Sequence, residues 1–411
     1  MSAESPDRAA DPLAGAARLY LMLMPVGHLV VVPLGGTMAT AADLALGGLL
    51  AAGVVSEGAA RLGGVPRDST GPRPRTVARG FALLAVFGVW AALSGAWGFH
   101  PRYALFKGMG YVALTGGAWL LARSGVGWRR LVEAWAIGCA AALAVLALGV
   151  LGPEALAGRV LYGAGAIRGL PLPRVSGPFL HPSMMGCYLA VTGALLWGAW
   201  PELAARGGAR VAARVGAAVG AIALALTVST GWVAAGVAAI VIGGDGGDGR
   251  RRSALRLAGA AAAAIALAGV LVPVDVDLAG LSIRTGAIRP AIWASALGAV
   301  ATAPLLGVGA APFLARAPDP MGGPELYVWD AHQAYLSVLG QFGVVGAALL
   351  AAGAALVVRA LLRSPASRAR TATLGALAAV AAHGFLVANE DFRHAWALLG
   401  LAGALAEGDP A

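Results

Sequence analysis

The chain has 411 residues, 59% of them apolar and only 12% charged, with a mean hydropathy of +0.76. A soluble globular domain of that composition would expose far too much apolar surface to water, so a polytopic membrane protein is predicted. The net charge of +10 comes mostly from arginines between apolar runs; the basic, aromatic-interleaved face that nucleic-acid binding needs is missing.

The segment Met1 to Pro12 carries three acids and lacks the basic start of a cleavable signal peptide, so the first apolar run is predicted to stay as a span. Apolar runs predict helices over Leu13–Leu34, Ala39–Val55, Ala78–Trp97, Tyr103–Leu121, Leu131–Leu151 and Pro182–Trp200. They continue over Val211–Val228, Thr230–Ile242, Ala254–Val274, Gln333–Val358, Ala372–Val387 and Trp396–Ala406. That makes about twelve spans, against the ~20 residues needed to cross the hydrocarbon, and the eighth and last are short. With 61 glycines, the helices are expected to pack closely through small side chains. Cys139 and Cys187 both lie in apolar runs and read as small buried hydrophobes. The Ala, Gly and Arg bias, with Lys107 the only lysine, points to a GC-rich bacterial genome.

Arginine placement orients the spans. With both termini cytoplasmic, 21 of the 30 basic residues fall on the inner side, as the positive-inside bias requires. The clusters Arg206–Arg214 and Arg250–Arg256 share that side only if the chain crosses twice between them, which makes Ser229-Thr230-Gly231 a tight outer turn. Nine cations then face outward against the bias: Arg102, Lys107, Arg159, Arg168, Arg174, Arg284, Arg289, Arg316 and Arg393. They concentrate in two long outer loops, 152–181 and 275–332, within a single integral membrane domain spanning 1–411. Several adjoin Gly or Pro, as in a fixed re-entrant backbone. Guanidinium groups fit phosphate oxygens through forked, charge-assisted hydrogen bonds, so a membrane-level phosphate outside the cytoplasm, a lipid pyrophosphate, is the expected ligand. The alternative is a headgroup contact or a salt bridge to Glu154, Asp275, Asp277, Glu390 or Asp391.

The longest polar interval runs from Leu281 to Gly343, and four motifs in and before it carry a family resemblance. Arg174-Val175-Ser176-Gly177-Pro178-Phe179-Leu180-His181-Pro182-Ser183 resembles the Arg-x-x-Gly-x-Phe-x-x-Pro-Asn entry of the O-antigen ligase and O-antigen polymerase superfamily. Ser229-Thr230-Gly231-Trp232 is similar to its Ser-Arg-Gly-x-Trp helix start. Arg289-Pro290-Ala291-Ile292-Trp293 with Pro304-Leu305-Leu306-Gly307-Val308-Gly309 resembles its Arg-x-x-x-Trp and Pro-x-x-Gly-x-Gly segment. Ala331-His332-Gln333-Ala334-Tyr335-Leu336, with Gly343-Val344-Val345-Gly346, resembles its Ala-His-Asn-x-Tyr-Leu and Gly-x-x-Gly motif. Ser183 and Gln333 stand where asparagine is usual.

The resemblance implies an all-α, multi-pass protein of the bacterial cytoplasmic (inner) membrane with a GT-C-like architecture and a partly helical outer loop. It implies transfer of a glycan from an undecaprenyl-pyrophosphate-linked donor to an acceptor hydroxyl on a glycan, lipid or protein, at an extracytoplasmic site. Membrane lipids are the other partners; no cofactor and no metal are expected. In that reading Arg174, Arg284 and Arg289 hold the diphosphate and His332 is the general base. His181, Ser183, Gln333, Tyr335, Trp293 and Arg393 are the expected substrate contacts. For His332 the alternative is a helix cap or loop hydrogen bond, and for His181 a mark of the loop end. His28 and His383, within apolar spans, are expected to bond a neighbouring helix, the alternative being a functional role, and His100 and His394 to lie at the interface. Glu390, Asp391 and Arg393 form an outer cluster or a solvated turn. Gly243–Gly249 lacks phosphate-loop and calcium-repeat signatures and reads as a flexible linker. The competing class is a transporter or flippase of lipid-linked sugars, which should show mid-membrane charges and matched broken helices.

Overall fold

The computed structural model describes residues 11–34, 37–62, 75–152, 157–158, 160–167, 170–205, 207–227, 229–243, 253, 256–257, 259–261, 264, 275–278, 281–284, 288–310, 315–317, 326–328 and 331–407. The predicted span Ala254–Val274 and the glycine-rich stretch after Gly243 lie largely outside them. The fold is predominantly helical. In chain order the helices are α1 (Pro12–Leu23), α2 (Ala41–Leu62), α3 (Arg75–Leu93), α4 (Pro101–Arg123), α5 (Trp128–Leu151) and α6 (Pro182–Ala205). They continue with α7 (Gly207–Thr227), α8 (Gly231–Ile242), α9 (Ile288–Thr302), α10 (Ala334–Arg363), α11 (Arg368–Gly384) and α12 (Arg393–Ala406).

Four of these stretches are long and apolar enough to cross a membrane: Ala41–Ala59, Arg75–Ala96, Trp128–Leu151 and Ala334–Arg363. The first predicted span is shorter than its apolar run. Helix α1, capped by the Asp11 carboxylate on the Leu13 N–H, ends at Leu23. A 3-10 turn, Met24–Leu29, follows, and then an antiparallel hairpin of β1 (Val31–Leu34) and β2 (Thr37–Thr40). Pro25, in the first turn of that segment, supplies no donor to continue the helix, and the β-branched run after it pairs as a strand. Three further two-stranded hairpins occur: β3 (Leu161–Ile167) with β4 (Leu170–Val175), β5 (Asp275–Leu278) with β6 (Leu281–Arg284), and β7 (Ala315–Ala317) with β8 (Leu326–Val328). The all-helical expectation therefore holds for the body but not for the loops.

Helices meet where glycine removes the side chain. A Cβ on Gly108 of α4 would fall 2.3 Å from the Ala92 nitrogen of α3, and one on Gly231 would fall 2.5 Å from the Gly186 Cα of α6. Gly353 of α10 faces Leu84 and the Gly80 carbonyl of α3, and Gly400 of α12 faces the Ala118 carbonyl of α4. Such contacts bring backbones together without needing a hydrophobic drive between helices. Cys139 and Cys187 are both buried and unbridged.

The two ends of the bundle differ in chemistry. At one end, Arg123, Arg129, Arg130, Arg359, Arg363, Arg368 and Arg370 stand at the adjoining ends of α4, α5, α10 and α11. Arg368 lies over the Trp197 ring, 4.2 Å from guanidinium carbon to centroid. The opposite end gathers the hairpins β1–β2 and β3–β4, the turn before α8, the start of α10 and the loop between α11 and α12.

Candidate active site

Three of the four motifs converge at the loop-rich end. The strand β4 delivers Arg174, whose Nε donates to the Thr227 carbonyl at 3.2 Å. That carbonyl is at the C-terminal end of α7, where the helix leaves acceptors unpaired and carries partial negative charge, so a guanidinium is favoured there. Gly177, at φ +55, turns the chain back towards the bundle with no room for a Cβ beside the Met185 sulfur, 2.7 Å away. His181 then caps α6, its Nδ1 accepting from the Ser183 N–H at 3.1 Å. Ser183 itself is buried, whereas the His181 imidazole is half-buried.

The turn between α7 and α8 is as tight as expected. The Ser229 hydroxyl accepts from the Gly231 N–H and bonds the Thr227 hydroxyl at 2.9 Å. Beside it, Thr230 Oγ1 meets His383 Nε2 at 3.0 Å, both side chains buried. His383 thus ties α11 to α8, the packing role expected of it. The next residue, Gly384, packs against Ala334 and the Tyr335 ring at the start of α10. The Tyr335 hydroxyl donates to the Ala381 carbonyl at 2.7 Å, and its ring centroid lies 4.5 Å from that of Phe385. A continuous set of contacts therefore links Arg174 to the His332 segment.

His332 is exposed and adopts φ +48, the one non-glycine positive φ among the described residues. A left-handed conformation costs a non-glycine residue about 1–3 kcal/mol and tends to persist where surrounding contacts enforce it, often at functional sites. Gln333 caps α10: its Oε1 accepts from the Leu336 N–H at 2.8 Å. This accounts for the family's asparagine there, since Asn is a favoured N-cap and the longer amide performs the same task.

The glycine motifs have a main-chain explanation. Helix α10 breaks at Gly343, φ +66 and ψ −171. The break frees two carbonyls and two N–H groups, and the 304–309 segment supplies their partners. Val308 N donates to Gly340 O (2.9 Å) and Gly309 N to Gln341 O (3.0 Å), while Val344 N donates to Pro304 O (2.9 Å) and Val345 N to Leu305 O (3.2 Å). The Trp97 and Trp90 indoles donate to the Gly307 and Phe342 carbonyls at 3.1 and 3.0 Å. Gly307 and Gly309, both at positive φ, permit the approach. This junction holds the C-terminal end of α9 against α10, and Ala296 of α9 is buried with Ala331.

The O-antigen ligase family model matches residues 215–351. That segment, about a third of the chain, is similar to the O-antigen ligase family. No curated protein matches the chain. The matched ligase segment includes Arg284, Arg289, Trp293, the Gly343 junction, His332, Gln333 and Tyr335; Arg174, His181, Ser183 and Arg393 precede or follow it. Arg284 ends β6 and Arg289 opens α9, but their side chains lie outside the described residues, as do Arg159, Arg168 and the side chain of Arg316. Trp293 is half-buried one turn after Arg289, and its Nε1 has no acceptor among the described residues.

Several contacts of this fold are not apparent from sequence. Arg393 engages neither Glu390 nor Asp391 among the ion pairs described. Its Nε donates to Asp43 Oδ1 at 3.2 Å, its Nη2 to the same oxygen, and its Nη1 meets His28 Nε2 at 3.2 Å. The imidazole, facing a guanidinium donor, accepts through its lone pair. Three elements are thereby pinned: the 3-10 turn, α2 and α12. His394, expected at the interface, is instead 2% exposed, because the start of α12 is tucked beneath the 174–183 loop with Phe179, Tyr188 and Phe392 around the ring. Lys107 reaches Gln341 Oε1 at 3.1 Å and Glu390 Oε1 at 3.8 Å. The available signals were Asp43 opening an apolar run, and the lone lysine and Gln341 in or beside predicted spans.

Proposed function

We propose that the chain transfers a glycan from an undecaprenyl-pyrophosphate-linked donor to an acceptor hydroxyl at the outer face of the bacterial cytoplasmic membrane. In this reading about twelve spans carry both termini on the cytoplasmic side, and the loop-rich end of the bundle faces outward. Arg174, Arg284 and Arg289 neutralise the diphosphate, which is a competent leaving group once its developing charge is balanced. His332 orients and deprotonates the acceptor hydroxyl. The hydroxyl oxygen then bonds to the anomeric carbon as the bond to the diphosphate oxygen breaks, with inversion. The imidazole takes the proton, and no metal takes part.

The observation that carries the proposal is the strained, exposed His332 turn within the O-antigen ligase match, connected through packed residues to Arg174. The break in α10 bears on the competing transport reading. Its freed main-chain groups bond the chain's own 304–309 segment, rather than standing open for a cargo.

The test uses purified full-length protein and lipid-linked glycans extracted from the organism that encodes it, reading polyprenyl diphosphate release and glycan transfer. His332→Ala and Arg289→Ala should each lower transfer by about 10²-fold or more with the fold retained. Full transfer by either variant overturns its assigned role. Gel sizing of the surface glycan after gene deletion separates the two acceptor classes: loss of a polymerase leaves single repeats attached, whereas loss of a ligase leaves polymer on its lipid.

A further inference from the structure

Helix α10 is apolar along most of its length, yet Ser337 and Gln341 are 0% and 1% exposed. Burying polar side chains is unfavourable unless their hydrogen bonds are used. With the cap residue Gln333 they stand at i, i+4 and i+8, on one face of the helix. Each is engaged in a defined way. Ser337 Oγ accepts from the Ala331 N–H at 3.0 Å, reaching six residues back to the residue just before His332. Gln341 Nε2 donates to the Ser337 carbonyl at 3.2 Å, and Gln341 Oε1 accepts from Lys107 Nζ at 3.1 Å.

His332 therefore stands between two fixed neighbours. Ala331, fully buried, is held through its N–H by Ser337. Gln333 is held by its cap on Leu336. Between these two held neighbours His332 adopts the left-handed region, a costly conformation that persists where surrounding contacts enforce it. A serine in a helix ordinarily bonds a carbonyl of its own preceding turn; this one instead serves an N–H outside the helix.

We propose that Ser337 is a positioning residue for His332. It sets the direction of an imidazole that it does not touch, and Gln341 and Lys107 brace it from below. The inference rests on the catalytic reading of His332 given above. Without the hydroxyl, the buried Ala331 N–H loses its acceptor, and the segment relaxes to recover one.

The test compares Ser337→Ala, Ser337→Thr, His332→Ala and the double variant His332→Ala/Ser337→Ala in the same transfer assay. Ser337→Ala should lower kcat by about 10- to 100-fold, as expected when a catalytic group is misplaced by about an ångström, with KM changed less than about twofold. Ser337→Thr, which keeps the hydroxyl, should restore most of the rate. Adding Ser337→Ala to His332→Ala should cost nothing more, because both act through one imidazole. Positioning is also read without turnover, as the rate of diethyl pyrocarbonate modification at His332 by mass spectrometry. That rate should change several-fold in Ser337→Ala while exposed His100 stays constant. Full activity of His332→Ala sinks the catalytic reading and this inference with it. An inactive His332→Ala beside a Ser337→Ala of unchanged kcat and unchanged His332 modification rate sinks this inference alone.

Discussion

Replacing Gly343 with alanine should unlock the junction between α10 and the 304–309 segment. At φ +66 and ψ −171 the backbone sits in a region essentially reserved for glycine, so a side chain costs about 1–3 kcal/mol in strain alone. The added Cβ would also lie 2.2 Å from the Leu305 oxygen and 2.6 Å from the Gly307 nitrogen. Both are main-chain atoms, and relief requires the two segments to separate. If two of the four hydrogen bonds joining them are lost at about 1 kcal/mol each, the total reaches about 3–5 kcal/mol, a large part of the ~5–15 kcal/mol typical of a folded domain. Gly110 supplies the control. It is exposed on α4 with nothing near its would-be Cβ, so Gly110→Ala should be neutral or stabilise by about 0.5–1 kcal/mol through helix propensity. Thermal unfolding of both full-length variants in detergent, followed by tryptophan fluorescence, reads the difference, since Trp90 and Trp97 donate into the junction. A Gly343→Ala protein that melts with Gly110→Ala would refute the reasoning.

Two further outcomes are expected. In a double-mutant cycle on stability, Asp43→Asn and Arg393→Gln should show a coupling of about 1–2 kcal/mol, between exposed and buried ion-pair values because the side chains are 36% and 21% exposed; additive effects would mean that the pair contributes nothing. Thr230→Val preserves volume but leaves His383 Nε2 without its hydroxyl partner, and unfolding measurements should show a loss of about 1–3 kcal/mol, with transfer kinetics unchanged if His383 only joins α11 to α8. A kinetic defect at full stability would instead give His383 a part in the chemistry.

Much of this architecture is legible in the chain itself. Long apolar runs dictate helices because in hydrocarbon each backbone group must bond within its own segment; the described helices fall on the predicted runs apart from the early end of α1 and from α9, which lies within the predicted outer loop 275–332. The motifs around Ser229, Pro304 and His332 fall within the segment similar to the O-antigen ligase family, and each needs a special backbone: a tight turn before α8, glycines at positive φ, a cap before α10. Composition and periodicity report only on neighbours along the chain, and the tertiary structure decided the rest. Nothing local pairs Arg393 with Asp43, joins Lys107 to Gln341, buries His394 or places Ser337 under Ala331. Those contacts arise because close helix packing brings together residues hundreds of positions apart, and in one case six, and because polar groups excluded from water must find whichever partners the packing supplies.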